Sequence, residues 1–436
     1  HRSYTRYSSD DRKENTMKTK NTTPRSRRAV FIAATIVLVL VAIRAMDALS
    51  GWFLDTSTQY YVLPAASTTL GTNSLGLRNR EIGPKDGTRI LFLGDSFTQG
   101  LGVREEDGFV RRSEKLLQQR FRVEHVNAGM TGFAPGNELG LYRAIRDKVQ
   151  PDIVVVCLYQ NDIYESGESL LLRRMKQNQQ KKLVIRALYG IAPVTTNFVY
   201  RTLLQKRYHD LLMSQALTLD RTQALLEESD SAQQRQPASP PLTLNPAMFV
   251  IQNEVRKYAR EMGIRDEATS EWLARNGPSL VDGRNPQEVI LGLLEPEYFS
   301  QVYTLDARAR PKFETMLKAI QKIKEESEQN KSAFAVVYIP SDDRYDREKF
   351  NLMREYGYSM NEEWLDGRVL SDIEIERWMS NHQTPYLSML SPFRKSREPL
   401  TFPRDQHLNK RGHEVMASAV AQFLEGNFAS RLQKRN

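Results

Sequence analysis

The sequence predicts an α/β protein built on a three-layer α/β/α, doubly wound parallel sheet of the flavodoxin-like type. Three short runs, at 90–93, 123–126 and 153–158, have the length of strands, and the first and third have the apolar composition of buried ones. Each run ends in small or polar residues, and helical patterns separate the runs. Strands that alternate with helices form parallel sheets, because each crossover helix returns the chain to the same edge.

The first element is a basic tail over residues 1–28, with nine Lys or Arg and three acidic residues. Most of the net charge of +9 therefore lies in this tail, and a nucleic-acid partner is not indicated. An uncharged apolar run follows at 29–43. Continued to Phe53, it is long enough to cross a bilayer and predicts a single-pass signal anchor over 29–53. A cleaved signal peptide is the alternative.

Positive charges just before the apolar run predict its orientation. Arg25, Arg27 and Arg28 lie on the amino side, and such residues favour the cytoplasmic face of a membrane. The tail is therefore expected in the cytoplasm, the anchor in the cytoplasmic (inner) membrane, and the catalytic domain on the extracytoplasmic, periplasmic side.

The predicted elements after the anchor come in two groups. The first group has the three strands above, with helices at 109–120 and 137–149. The second has a helix at 311–329, a strand at 333–339 and a final helix at 413–424. We therefore predict one catalytic domain in two parts, 54–162 and 311–436, interrupted by a large, mostly helical insertion at 163–310.

The insertion contains a basic, partly apolar stretch at 170–207 that has nine Lys or Arg and no acidic residue. Such a stretch in an anchored protein is able to lie on anionic headgroups or to hold a polyanionic glycan. The alternative is a solvated helical lid over the active site. The insertion is thus predicted to be a lid or a surface for substrate or partner.

Residues suited to acyl transfer follow the predicted strands. Ser96 follows the first strand, Gly129 the second and Asn161 the third, while Asp405 and His407 precede the last helix. Serine is a nucleophile when a histidine takes its proton and a carboxylate orients that histidine. Alternatively, Ser96 is only a helix cap. The single cysteine, Cys157, excludes an internal disulfide, and no acidic or histidine cluster has metal-ligand spacing, so no cofactor or metal is expected.

These residues form four blocks that resemble the SGNH hydrolases, or GDSL-like lipases and esterases. The blocks occur in the family's order, as Gly94-Asp95-Ser96, Asn127-Ala128-Gly129, Asn161-Asp162 and Asp405-Gln406-His407. The resemblance implies that Ser96, His407 and Asp405 are catalytic, and that Ser96, Gly129 and Asn161 form the oxyanion hole.

The sequence departs from the family pattern at two positions. Tyr159 stands where the third block usually has glycine, which we expect to narrow the pocket. In the last block, Asp405 and His407 are separated by one residue, whereas the family often has two. Asp162 is expected to have a structural role, and His413 to cap the last helix.

The predicted function is an extracytoplasmic serine esterase that cleaves O-acetyl or other short acyl esters through an acyl-enzyme. The expected partners are an ester substrate, such as an acylated glycan or lipid, and the membrane through residues 29–53. One alternative is an O-acyltransferase that modifies a cell-envelope glycan with a membrane-bound partner. Another is a catalytically silent, anchored glycan-binding protein. The sequence leaves open the acyl length, the alcohol portion and the oligomeric state.

Overall fold

The computed structural model describes residues 24–51, 72–166, 183–196, 198–199, 203, 253, 255–257, 259–260, 264–276, 291–292, 295–403 and 405–435. Several predictions lie outside these residues. They concern the tail before residue 24, the end of the predicted anchor at 52–53, and most of the predicted insertion, including the basic residues at 170–182.

The described part of the chain contains a five-stranded parallel sheet with the order β2-β1-β3-β4-β5. The strands are β1 (Thr88–Gly94), β2 (Val123–Gly129), β3 (Ile153–Tyr159), β4 (Ala333–Ile339) and β5 (Tyr386–Ser388). In the register, Gly94 lies opposite both Gly129 and Cys157, so β1 and β2 end level and β3 continues past them to Tyr159 at the same edge. The winding direction reverses between β1 and β3, and ligands of open α/β sheets bind at such a reversal.

The helices flank and connect the strands. They are α1 (Pro24–Ser50), α2 (Ser96–Gln99), α3 (Phe109–Leu117), α4 (Pro135–Val149), α5 (Asp162–Glu165), α6 (Leu183–Ile191), α7 (Asp266–Asn276), α8 (Tyr298–Thr304), α9 (Arg310–Gln329), α10 (Arg347–Glu355), α11 (Glu363–Asp366), α12 (Leu370–Asn381), α13 (Leu390–Arg394) and α14 (Lys410–Phe428). Short 3-10 turns cover Glu105–Asp107 and Asp342–Arg344.

Both faces of the sheet are covered, which gives the predicted three layers. In β1, Leu91 and Leu93 join the core cluster that includes residues of α4, α9 and α12. The alternating residues Ile90 and Phe92 join the opposite cluster, with residues of α3 and α14. Successive side chains of a strand point to opposite faces, so a strand buried on both sides has a continuous apolar sequence. The predicted α/β/α fold is confirmed.

Two of the predicted elements are shorter than the observed ones. The strand predicted at 123–126 continues to Gly129, since the polar Asn127 is accommodated inside the fold by hydrogen bonds. The last helix begins at Lys410, three residues before the predicted start, because the Asn409 side chain accepts a hydrogen bond from the Gly412 N–H as its cap. Leu116, in the helix predicted at 109–120, is 40% exposed.

Helix α1 contains the predicted membrane segment. Its 23 residues from Arg28 to Ser50 are long and apolar enough to cross a membrane, and none of its most apolar window is buried within the protein. At 1.5 Å per residue this segment is about 34 Å long, which exceeds a hydrocarbon core of about 30 Å. The helix therefore meets the length and composition required of a membrane span or signal anchor.

Candidate active site

Ser96 lies at the carboxyl edge of the sheet as the first residue of α2. The residue before it, Asp95, is the helix cap, because its Oδ1 accepts a hydrogen bond from the Phe97 N–H at 2.9 Å. Asparagine, aspartate and serine are the residues most favoured at this capping position. Since Asp95 occupies it, the Ser96 hydroxyl is not the cap and is able to interact elsewhere.

The Ser96 hydroxyl is bonded to a histidine from a distant part of the chain. Its Oγ lies 2.7 Å from His407 Nε2, and His407 Nδ1 lies 2.5 Å from Asp405 Oδ1. The same Asp405 oxygen accepts the His407 backbone N–H at 2.7 Å. The structure therefore joins the three residues in a continuous hydrogen-bonded chain, in the arrangement that activates a serine nucleophile.

The Asp405 carboxylate is stabilised in its charged form. Its burial acts to raise the pKa, but the charge of His407 and the two hydrogen bonds from that residue outweigh burial. The pKa of Asp405 is therefore below its ordinary value. A carboxylate that stays ionised favours the imidazole tautomer with its proton on Nδ1, which leaves Nε2 able to accept the serine proton.

A tight turn allows one-residue spacing between the acid and the base. Thr401 and Leu408 form an isolated antiparallel bridge, and the Phe402 N–H donates to the His407 carbonyl at 3.0 Å. The Asp405 N–H donates back to the Phe402 carbonyl at 3.3 Å. These bonds fold the segment back on itself, so the Asp405 carboxylate reaches the His407 imidazole although only one residue separates them.

Lys349 on α10 holds this turn from beneath. Its Nζ donates to the backbone carbonyls of Phe402 and Asp405, the latter at 3.0 Å, and lies 3.7 Å from Asp342 Oδ2. The Thr401 hydroxyl donates to the same Asp342 oxygen at 3.1 Å. The lysine and Asp342 are both buried. This support could not be predicted from the sequence, because two adjacent aspartates such as Asp342 and Asp343 do not indicate which distant residues they contact.

Tyr159, which replaces the usual glycine, also supports the histidine turn. Its ring stacks on Phe97 with centroids 3.9 Å apart, and Phe97 lies 5.0 Å from the His407 ring. Its hydroxyl donates to the side-chain Oε1 of Gln406, the residue between the acid and the base, and lies 3.4 Å from Ser341 Oγ. Tyr159 is only 3% exposed and packs against Phe97, and its effect on the width of the pocket stays a prediction.

Gly129 is required for close packing against α2. A Cβ at this position would lie 2.2 Å from the Gln99 backbone nitrogen. The Gly129 N–H, a predicted oxyanion donor, donates to Asn127 Oδ1 at 2.9 Å, while Asn127 Nδ2 donates to the Thr98 carbonyl at 2.8 Å. An oxyanion would therefore have to share or replace the Asn127 contact, and the role of Gly129 stays a prediction.

Asn161 follows β3 and begins α5, at the same edge as Ser96. Its backbone carbonyl accepts from the N–H groups of Tyr164 and Glu165, and its side-chain Oδ1 has no hydrogen-bond partner among the described residues. Next to it, Asp162 Oδ2 accepts the Tyr159 N–H at 2.9 Å, which agrees with the structural role predicted for Asp162. The oxyanion role of Asn161 stays a prediction.

Buried carboxyl groups lie behind the nucleophile. Burial raises the pKa of Asp95 to about 6, although the Phe97 N–H and His407 favour its charged form. Burial also raises the pKa values of Glu138 and Asp162, and the charge of Asp95 adds to both effects. Burial therefore favours the neutral forms of Glu138 and Asp162, a property that the sequence did not predict.

His413 does not cap its own helix, contrary to the prediction. Asn409 is the cap of α14, and His413 Nδ1 instead accepts the Phe109 N–H at 3.2 Å. Phe109 is the first residue of α3, so the histidine caps a neighbouring helix. The prediction was wrong because α14 already begins at Lys410, before His413, and because the His413 side chain is buried.

Comparison with known families agrees with this geometry. Residues 92–287 match the model of the GDSL-like Lipase/Acylhydrolase family. This stretch of the chain is similar to the GDSL-like lipase/acylhydrolase family. The matched range includes Ser96, Gly129 and Asn161 and ends before Asp405 and His407. The match supports a hydrolase that acts on ester bonds, and the resemblance first noted from the four blocks is confirmed.

Solved structures of low sequence identity also match this GDSL-like hydrolase. TesA is 11% identical, with 78% of this chain and 99% of TesA covered and a TM-score of 0.33. Axe2, an acetylxylan esterase from Geobacillus stearothermophilus, is 12% identical, with 78% and 94% covered and a TM-score of 0.32. A G-D-S-L family protein from Veillonella parvula is 12% identical, with 78% and 98% covered and a TM-score of 0.32. No curated protein sequence matches the chain significantly.

Proposed function

We propose that this hydrolase is an extracytoplasmic serine esterase in which Ser96 is the nucleophile, His407 the general base and Asp405 the residue that orients it. The observation that carries the proposal is the continuous chain from Asp405 through His407 to Ser96, with contacts of 2.5 and 2.7 Å. A histidine held this way is within reach of the serine proton and has the correct tautomer to accept it.

The reaction then proceeds through an acyl-enzyme. Ser96 Oγ attacks the ester carbonyl carbon while His407 Nε2 takes the hydroxyl proton. The N–H groups of Ser96 and Gly129 and the Asn161 amide bind the oxyanion. His407 gives its proton to the departing alkoxide as the ester C–O bond breaks, and water activated by the same histidine releases the acid.

We infer a short acyl group, acetyl in the first place, carried by a cell-envelope glycan or lipid. Ser96 and His407 are each only 8% exposed, so little of either residue is accessible from solvent. The stacked rings of Phe97 and Tyr159 occupy the space beside the histidine. A compact acyl group suits such a restricted approach.

The decisive variant is Ser96→Ala, assayed with p-nitrophenyl acetate on the full chain in detergent. We expect the rate to fall by roughly 10⁴-fold or more, because the variant has no nucleophile to form the acyl-enzyme. Ser418→Ala is the matched control, since Ser418 is an exposed serine on α14. A fluorophosphonate should add mass at Ser96 in the wild type and in this control.

The assay also separates the alternatives. Equal rates for the wild type and Ser96→Ala would refute the esterase proposal and favour a silent binding protein. An O-acyltransferase would share the first half-reaction, so it would still label at Ser96. It would pass the acyl group to a glycan hydroxyl faster than to water.

A further inference from the structure

Helix α6 has an exposed apolar surface. Leu183 is 78% exposed, Val184 69% and Leu188 46%, and Arg186 is the one charged residue in the helix. Exposed apolar side chains that cluster on one short helix are typical of a surface that contacts another apolar phase. We therefore expect an apolar phase or a partner to cover this surface of α6.

The turn after α6 is bonded to the carboxyl end of α1. Asp47 of α1 accepts the Val194 N–H at 2.9 Å and the Thr195 N–H at 2.7 Å, and its side chain is buried. Ser50 Oγ lies 3.4 Å from Thr195 Oγ1. These contacts place α6 beside the carboxyl end of α1.

The position of Asp47 along α1 places this junction relative to a membrane. At 1.5 Å per residue, Asp47 lies about 28 Å beyond Arg28, close to the thickness of a hydrocarbon core of about 30 Å. If α1 spans with Arg28 at one face, Asp47 reaches the opposite face. The turn at 194–195 then lies at the outer surface of the bilayer, where α6 would meet lipid.

We propose that α6 is a second membrane contact, seated in the outer interface of the bilayer that α1 crosses. Leu183, Val184 and Leu188 enter the boundary between headgroups and acyl chains, and Arg186 is positioned to meet lipid phosphates. The occupant is a phospholipid surface, because the apolar surface of α6 adjoins that of α1. The inference rests on the proposal that α1 crosses the membrane. It places residues 183–191, which belong to the inserted segment 163–310, at the membrane surface.

Depth-dependent quenching in vesicles tests this contact on the full chain. In a Cys157→Ala background, which removes the single cysteine, Leu183→Cys is labelled with the fluorophore NBD. The protein is inserted into vesicles of phosphatidylcholine and phosphatidylglycerol that carry a doxyl quencher near the headgroup end of the acyl chain, to report on position 183, or near its methyl end, to report on position 38. Leu38→Cys in α1 reports the anchor itself. Leu116→Cys is the matched control, a half-exposed leucine on α3 of the catalytic core.

We expect at least threefold more quenching at position 183 than at 116, with emission shifted to the blue. Quenching at 38 but solvent-like emission at 183 would overturn the inference and leave the anchor intact. Blue-shifted emission at 183 without quenching would indicate a protein contact and would also overturn it. No quenching at 38 would contradict the anchor. Adding Asp47→Ala, which removes the acceptor of two N–H groups, should reduce quenching at 183 by at least half.

Discussion

At the scale of single residues, the proposed active site contains side chains that support the histidine turn as well as Ser96, His407 and Asp405. Tyr159 contributes a ring against Phe97 and a hydroxyl to Gln406, the residue between Asp405 and His407. A hydrogen bond of this kind contributes about 1 kcal/mol. Tyr159 is therefore a positioning residue, and the loss of its hydroxyl should be measurable in the rate.

Tyr159→Phe keeps the stacked ring and removes only the hydroxyl. We expect kcat on p-nitrophenyl acetate to fall by roughly fivefold with little change in KM, because the imidazole is held less firmly. Gln406→Ala should cause a similar fall, since it removes the other partner. The double variant should be no slower than either single variant. Multiplied losses in the double variant would show that the two side chains act independently.

At the scale of elements, a buried histidine joins α3 to α14. His413 accepts the first N–H of α3, which requires an unprotonated Nδ1. Burial lowers the pKa of His413 to about 3, and nearby Arg78 acts in the same direction. The ordinary value in an unfolded chain is about 6.5. The unfolded state therefore binds more protons below pH 6.5, and stability must fall as the pH decreases from 6.5 towards 3.

The variant His413→Asn should remove this pH dependence. At pH 5 the wild-type histidine costs about 2 kcal/mol relative to pH 7, from about 1.5 pKa units at 1.36 kcal/mol each. The variant should thus be clearly less stable than the wild type at pH 7 and much closer to it at pH 5. Urea unfolding of the full chain in detergent at both pH values measures this difference. Parallel losses at the two values would contradict the assigned protonation.

A second buried histidine provides a comparison. Burial also lowers the pKa of His125 to about 3, and its Nδ1 is close to the Val110 carbonyl and the Ser113 hydroxyl. His125→Asn should show the same sign of pH dependence.

At the scale of the whole molecule, the proposed location depends on charges beside α1. Replacing Arg27 and Arg28 by Ser removes positive charge next to the apolar segment, which should reduce the fraction of chains whose folded part lies outside. Proteinase K added to spheroplasts measures that fraction by digestion of the folded part. Arg2→Ser with Arg6→Ser is the matched control, because these positions are too far from the helix to orient it. An equal loss in both pairs would contradict the proposed topology.

The sequence alone was sufficient for four strands of the sheet and for the candidate reacting residues. The apolar runs that became β1 and β3 are buried on both faces, so their composition is unambiguous. Parallel strands end at one edge, which is why Ser96 and Asn161 could be expected together before any distance was known. The short β5 was missed because its three residues are half-buried and have no strand pattern.

Only the tertiary structure decided how the site is held. Ser96 is free of the capping role because Asp95 takes it, and that choice depends on local backbone geometry. Tyr159 and Lys349 reach the histidine turn from β3 and α10, and pairs so distant in sequence leave no local signal. The strand ends and their reactive residues follow from local composition and spacing. The support of His407 follows from packing, which brings together side chains that the chain order keeps apart.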